Sequence, residues 1–127
     1  MSRIRTANVK LKRAYEPPRR SDGKRILIDR LWPRGVRKED AKIDEWMKEI
    51  APSSELRKWF GHDPARWSEF QHRYHTEIDH HPEQLERLRM LAREGPITLV
   101  FSAHDEEHND AVVLRDLILG YHSRGAS

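Results

Sequence analysis

A chain of 127 residues with 36% hydrophobic and 35% charged residues is long enough for one packed core, and its periodic apolar runs exclude disorder. Its 24 basic and 21 acidic residues leave a net charge of +3, with the basic excess between Arg3 and Arg37; a general nucleic-acid binder shows a larger excess or a clear stripe, so nucleic acid is not the favoured partner. No cysteine is present, which removes disulfides, thiolate metal sites and cysteine nucleophiles together, and no apolar run approaches the ~20 residues of a membrane span.

The opening "MSRIRTANVK" lacks the apolar centre of a secretory signal, so a soluble cytoplasmic protein is expected. Ala7, Val9 and Leu11 alternate with Asn8 and Lys10, the period of a half-exposed strand. "EPPRRSDGKR" follows as a loop. Arg25 to Leu31 reads as a second strand, and the unbroken Ile26, Leu27 and Ile28 mark it as covered on both faces. Ile43, Trp46, Met47 and Ile50 fall at helical spacing and predict a helix stopped by Pro52. Ser53 or Ser54 caps a short helix carrying Leu56, Trp59 and Phe60, and Gly61 closes it.

Asp63-Pro64, a capping carboxylate before proline, opens a helix with Trp67, Phe70, Tyr74 and Ile78. His72 and His75 on it, and His80-His81 beyond it, read as solvated. Leu85, Leu88 and Leu91 form the stripe of a further helix ended by Gly95-Pro96. "ITLVF", Ile97 to Phe101, is the second continuous apolar strand, and a last helix follows with Leu114, Leu117, Ile118 and Tyr121. This order predicts a single α/β domain over residues 1–127, with its core in 6–122 and a flexible tail at 123–127. Two apolar strands separated by a long helical crossover imply parallel pairing, hence a small three-layer domain with a short, mostly parallel sheet.

In open α/β sheets, ligands bind beyond the carboxyl ends of the strands. If the two apolar strands are parallel, "DRLWPRG" and "SAHDEEHN" leave the sheet at one edge. The candidate ligand-binding residues are therefore Asp29, Arg30, Trp32, Arg34, Ser102, His104, Asp105, His108 and Asn109, joined from the helical crossover by Trp59, His62 and Asp63. Arginines suit a small anionic ligand, which they grip bidentately. Asp29 and His108 are the candidates for proton transfer, one by burial and the other by its ordinary pKa. The plainer reading pairs Asp29 with Arg30, lets Trp32 and Pro33 cap the core, and makes Asp105 the cap of the last helix, with Glu106 and Glu107 pairing to the arginines of "DRLWPRG". His104 and His108 are four apart, but Asp105 stands where the zinc-protease motif has glutamate, so no metal or cofactor is expected. The acidic run disfavours a phosphate at that helix start, and Ser102 lacks the Gly-x-Ser-x-Gly elbow of hydrolases.

The combination "ILIDRLWPRG", "WMKEIAPSSELRKWFGHDPARWSEF" and "ITLVFSAHDEEHNDAVVL" resembles the YeaO-like branch of a bacterial domain-of-unknown-function family, over about Ala7 to Leu119. The resemblance implies a compact α/β domain and no established activity. A wider set of related domains carries a cysteine after the last strand, in a Cys-His-Arg type loop. The matching stretch "SAHDEEHN" has neither cysteine nor arginine, so thiolate chemistry at that position is closed to this chain. A protein-interaction module, including a homodimer, or a regulator associated with nucleic acid is the alternative to a ligand-binding domain.

Overall fold

The computed structural model describes residues 4–120. Tyr121 and the tail at 123–127 lie outside the described residues. Four strands form one sheet in the order β1-β4-β2-β3: β1 (Val9–Arg13), β2 (Lys24–Leu27), β3 (Glu45–Trp46) and β4 (Ile97–Phe101). All three pairings are parallel. The register sets Ile26 against Leu99 and Leu27 against Val100, so the two apolar strands are neighbours running the same way, as their composition predicts.

Side chains alternate across each strand. Val9, Ile26, Ile28, Ile97, Leu99 and Phe101 face the main core. That core is closed by α2 (Ser54–Phe60), α3 (Trp67–Ile78), α4 (Pro82–Glu94) and α5 (Asp110–Ile118) through Phe60, Phe70, Tyr74, Leu88 and Leu114. Leu27 and Val100 face the other side, where Ala14, Trp32, Ile43 and Trp46 build a smaller cluster. The loops after β1 and β2, with the short α1 (Lys38–Ala41), make this thin third layer. Among the described residues no helix is long and apolar enough to cross a membrane.

Several boundaries follow their signals. The Ser53 hydroxyl accepts the Leu56 N–H at 3.1 Å, and Gly61 closes α2 in the left-handed region at φ 53°. Asp63 accepts the Ala65 N–H at 3.0 Å ahead of a 3-10 turn that leads into α3. Four expectations fail. The second strand, expected over Arg25 to Leu31, is Lys24–Leu27, and the chain bends away from the sheet at Asp29. The first strand begins at Val9, after a 3-10 turn over Thr6–Asn8. The helix predicted across Ile43–Ile50 is instead β3 followed by a 3-10 turn (Lys48–Ile50). The Asp44 and Met47 N–H groups donate to Arg25 and Leu27 carbonyls at 2.8 Å each, which draws the segment onto the sheet edge. Trp46 then joins the small cluster and Met47 the main core, an alternation that helical spacing imitates over so few residues. His75 is 3% exposed rather than solvated.

Candidate functional site at the carboxyl edge of the sheet

The β2–β4 register places Asp29, two residues beyond β2, beside Ser102, the residue after β4. The Asp29 carboxylate accepts the Ser102 backbone N–H at 2.9 Å and its hydroxyl at 2.6 Å. A third group completes this floor. Asp110, the first residue of α5, hydrogen-bonds the Asp29 carboxyl. Burial, then the charge of Asp29, pushes the Asp110 pKa well above the ordinary carboxyl value. Two neighbouring carboxyls do not both ionise cheaply, and the pair favours a shared proton on the Asp110 side.

Tyr74 stands beneath, its hydroxyl donating to the Ile50 carbonyl at 2.6 Å. Its pKa is driven far up by burial, then by the charges of Asp110, Asp29 and Glu77, with Arg30 opposing them. Arg30 donates to the Ala51 carbonyl at 3.4 Å, while its Nε is buried without a hydrogen-bond partner. The Asp29–Arg30 ion pair expected from their adjacency is not formed among the described residues. Asp29 spends its oxygens on Ser102 and Asp110 instead.

The loop between β4 and α5 forms the rim. The Arg13 Nε donates to the Ala103 carbonyl at 2.9 Å, and its Nη2 lies 3.4 Å from the His104 Nδ1. Asp105 does not cap α5. Its Oδ1 accepts the Glu107 and His108 N–H groups at 2.9 and 3.0 Å, and its Oδ2 sits 2.9 Å from the His108 Nδ1. These contacts, the Glu107 N–H first, hold the Asp105 pKa below its ordinary value. The helix cap is Asn109, whose side-chain oxygen accepts the Val112 N–H at 3.0 Å and whose amide donates to the Asp105 carbonyl at 2.8 Å. Among the described residues, no arginine of "DRLWPRG" pairs with Glu106 or Glu107.

The edge therefore gathers Asp29, Arg30 and Ser102 at its floor, with His104, Asp105, His108 and Asn109 in the loop above. His108 also sets its ring edge-on to Trp67, 5.2 Å between centroids. The other candidates lie apart. Trp32 belongs to the opposite face, packed edge-on against Trp46 at 5.4 Å with its indole N–H on the Val36 carbonyl at 2.6 Å. Arg34 is exposed, and its carbonyl accepts the Tyr15 hydroxyl at 3.1 Å. Trp59 lies under the Arg73 guanidinium at 4.2 Å, and its carbonyl accepts a hydrogen bond from Arg66. His62 is exposed at φ 56°, and Asp63 is committed to its turn and to Arg66 at 3.7 Å.

Sequence reasoning missed Asp110, Arg13 and Tyr74. Asp110 reads as an ordinary first-turn acid, and Arg13 lies at the end of an edge strand. Only the sheet order brings both to this place. Among the described residues no group of three His, Asp or Glu side chains is arranged to hold a metal. A groove of about 310 Å³ lies elsewhere, between β3 and α4, lined by Glu45, Trp46, Glu83 and Arg87.

The model of a family described as the inactive DUF488-N3 subclade matches residues 8–126. Uncharacterized protein YeaO of Escherichia coli (strain K12) is 46% identical over 109 residues, 86% of this chain and 95% of the relative. Uncharacterized protein Rv3073c of Mycobacterium tuberculosis (strain ATCC 25618 / H37Rv) is 39% identical over 117 residues, 92% of this chain and 98% of the relative. No solved structure matches.

Proposed function

The chain belongs to the inactive DUF488-N3 subclade, and on that premise we propose that it is a cytoplasmic binding domain rather than an enzyme, with a small-molecule site at the carboxyl edge of its sheet. The word inactive in the family description favours binding over turnover, and the lack of cysteine fits both that reading and a reducing compartment.

The ligand that suits the floor is a small anion that also carries hydrogen-bond donors, as amino acids and hydroxy acids do. Its donors would meet Asp29 and the Ser102 hydroxyl. Its anionic group would meet Arg30 and Arg13. The observation that carries this reading is the Arg30 Nε, buried with no acceptor, on the residue next to Asp29. A buried donor left unmade costs about 1–3 kcal/mol, which a ligand carboxylate would recover.

A thermal-shift series with small amino, hydroxy and dicarboxylic acids tests it. A binder present at about 100 times its Kd stabilises by about 2.7 kcal/mol, a rise of several degrees for a domain of this size. Asp29→Asn and Arg30→Met should each remove the rise. If no acid of these classes raises Tm, or if both variants keep the rise, the reading fails.

A further inference from the structure

β1 is an outer strand of the sheet, paired with β4 on one side only. Just beyond it, the Ala14 N–H donates to the Phe101 carbonyl at 2.7 Å. Along a parallel ladder alternate residues turn their backbone groups the same way, so Lys10 and Lys12 bond to β4, while Val9, Leu11 and Arg13 turn theirs outward. Arg13 closes its own outer pair: its N–H donates to the Glu16 carboxylate at 3.3 Å, and its carbonyl accepts the Glu16 N–H at 3.1 Å. The Val9 N–H donates to the Thr6 carbonyl. The Val9 carbonyl and both backbone groups of Leu11 have no partner among the described residues.

The lysines that blunt many such edges are drawn away from this one. Both lie on the helix-free face, where the Lys10 Nζ donates to the Ser21 carbonyl at 2.5 Å and the Lys12 Nζ to Asp22 at 2.9 Å. Leu11 lies on the helix face, part-exposed against the main core. The strand and its approach are basic without exception: residues 1–15 hold Arg3, Arg5, Lys10, Lys12 and Arg13 and no acid. The acids of the loop that follows are engaged, Asp22 with Lys12 and Arg25, and Glu16 with the Arg13 N–H.

We propose that the outer edge of β1 is a docking site for an extended acidic segment of a partner protein, added antiparallel to the sheet as a further strand. A residue of that segment set opposite Leu11 exchanges both backbone hydrogen bonds with it, and the residue two further on donates to the Val9 carbonyl. The residues on either side of the first fall on the helix-free face, opposite Lys12 and Lys10, where acids are favoured. The segment therefore reads acidic, apolar, acidic, apolar. A second copy of this chain suits the edge less well, because the same pairing about Leu11 sets Lys10 of one copy against Lys12 of the other. The inference does not draw on the carboxyl-edge site.

Fluorescence anisotropy with the labelled, end-blocked peptide Gly-Glu-Val-Glu-Val-Gly tests it on the full chain. Saturable binding that weakens as salt rises is expected. N-methylation of both valines removes the donors that face the edge while keeping every charge, and should weaken binding by at least about fivefold. Leu11→Pro deletes the outward N–H at a place where an edge strand tolerates proline, and should weaken binding as much. Lys10→Glu, at a part-exposed position, should weaken it through charge. Thermal melts check both folds, and the N-methylated peptide decides on the wild-type chain if either variant melts early. The proposal is overturned by no saturable binding up to about 1 mM peptide. Equal binding of the N-methylated peptide overturns it too, and reduces the contact to charge alone. A dimer in light scattering that Leu11→Pro dissociates would instead give the edge to a second copy, and would also overturn it.

Discussion

Burial and the neighbouring Asp29 hold the proton on Asp110 well beyond the ordinary carboxyl range. A raised pKa of this kind adds stability that is fully present below the unfolded value, and that is lost as pH rises through the folded one. Asp110→Asn keeps a donor toward Asp29 and has no proton to lose. Urea unfolding across pH 4–8 should therefore show the variant gaining on wild type as pH rises; a constant difference would mean that Asp110 titrates normally. Asp22 behaves in the opposite sense. It is 3% exposed, and it takes Arg25 at 2.7 Å, Lys12 at 2.9 Å and the Arg19 N–H at 3.0 Å. Burial works against its charge, but these partners win and hold its pKa below the ordinary value. Asp22→Ala leaves the 3%-exposed Arg25 without its counter-ion and should cost about 3 kcal/mol in urea unfolding.

Among the elements, β3 shows how a short apolar pattern is decided by its neighbour. Ile43, Trp46, Met47 and Ile50 suit a helix and an edge strand equally over eight positions. The free edge of β2 offers two backbone acceptors, and the segment takes them. The connection into β2 depends on Gly23, at φ 66°, where an added Cβ would stand 2.1 Å from the Pro96 carbonyl oxygen. Gly23→Ala meets both a strained backbone and a backbone clash, and should lower stability by at least about 2 kcal/mol, read from thermal melts. The start of α5 is fixed by Asn109, so Asn109→Ala should cost about 1 kcal/mol through the lost cap. The same change frees the Asp105 carbonyl and loosens the loop that carries His108.

The whole molecule should be weakest in acid. Asp22, Glu45 and Asp105 all have pKa values held below their ordinary ones by partners in the fold. Glu45 ties β3 to α4 through Arg87, with contacts of 2.7 and 2.8 Å. Groups of this kind stabilise above about pH 4 and lose that contribution as pH falls through their folded values. Circular dichroism from pH 6 to 2 should show the stability loss concentrated below about pH 4. An unfolding free energy that stays flat across that range would contradict the pairing.

The sequence by itself determined the two buried strands, most of the helices with their caps, and the exit of the Asp29 and Ser102 segments at one edge of the sheet. Those features rest on local spacing, on capping chemistry and on the rule that apolar strands around a helical crossover run parallel. Tertiary structure alone decided the partner of each polar group. Asp29 took Ser102 and Asp110 rather than Arg30, Asn109 displaced Asp105 as the cap, and Trp32 turned to the far face. The physical reason is distance along the chain. Ser102 lies 73 residues from Asp29, and a hydrogen bond across such a gap is fixed by strand order and register, which no short window of residues encodes.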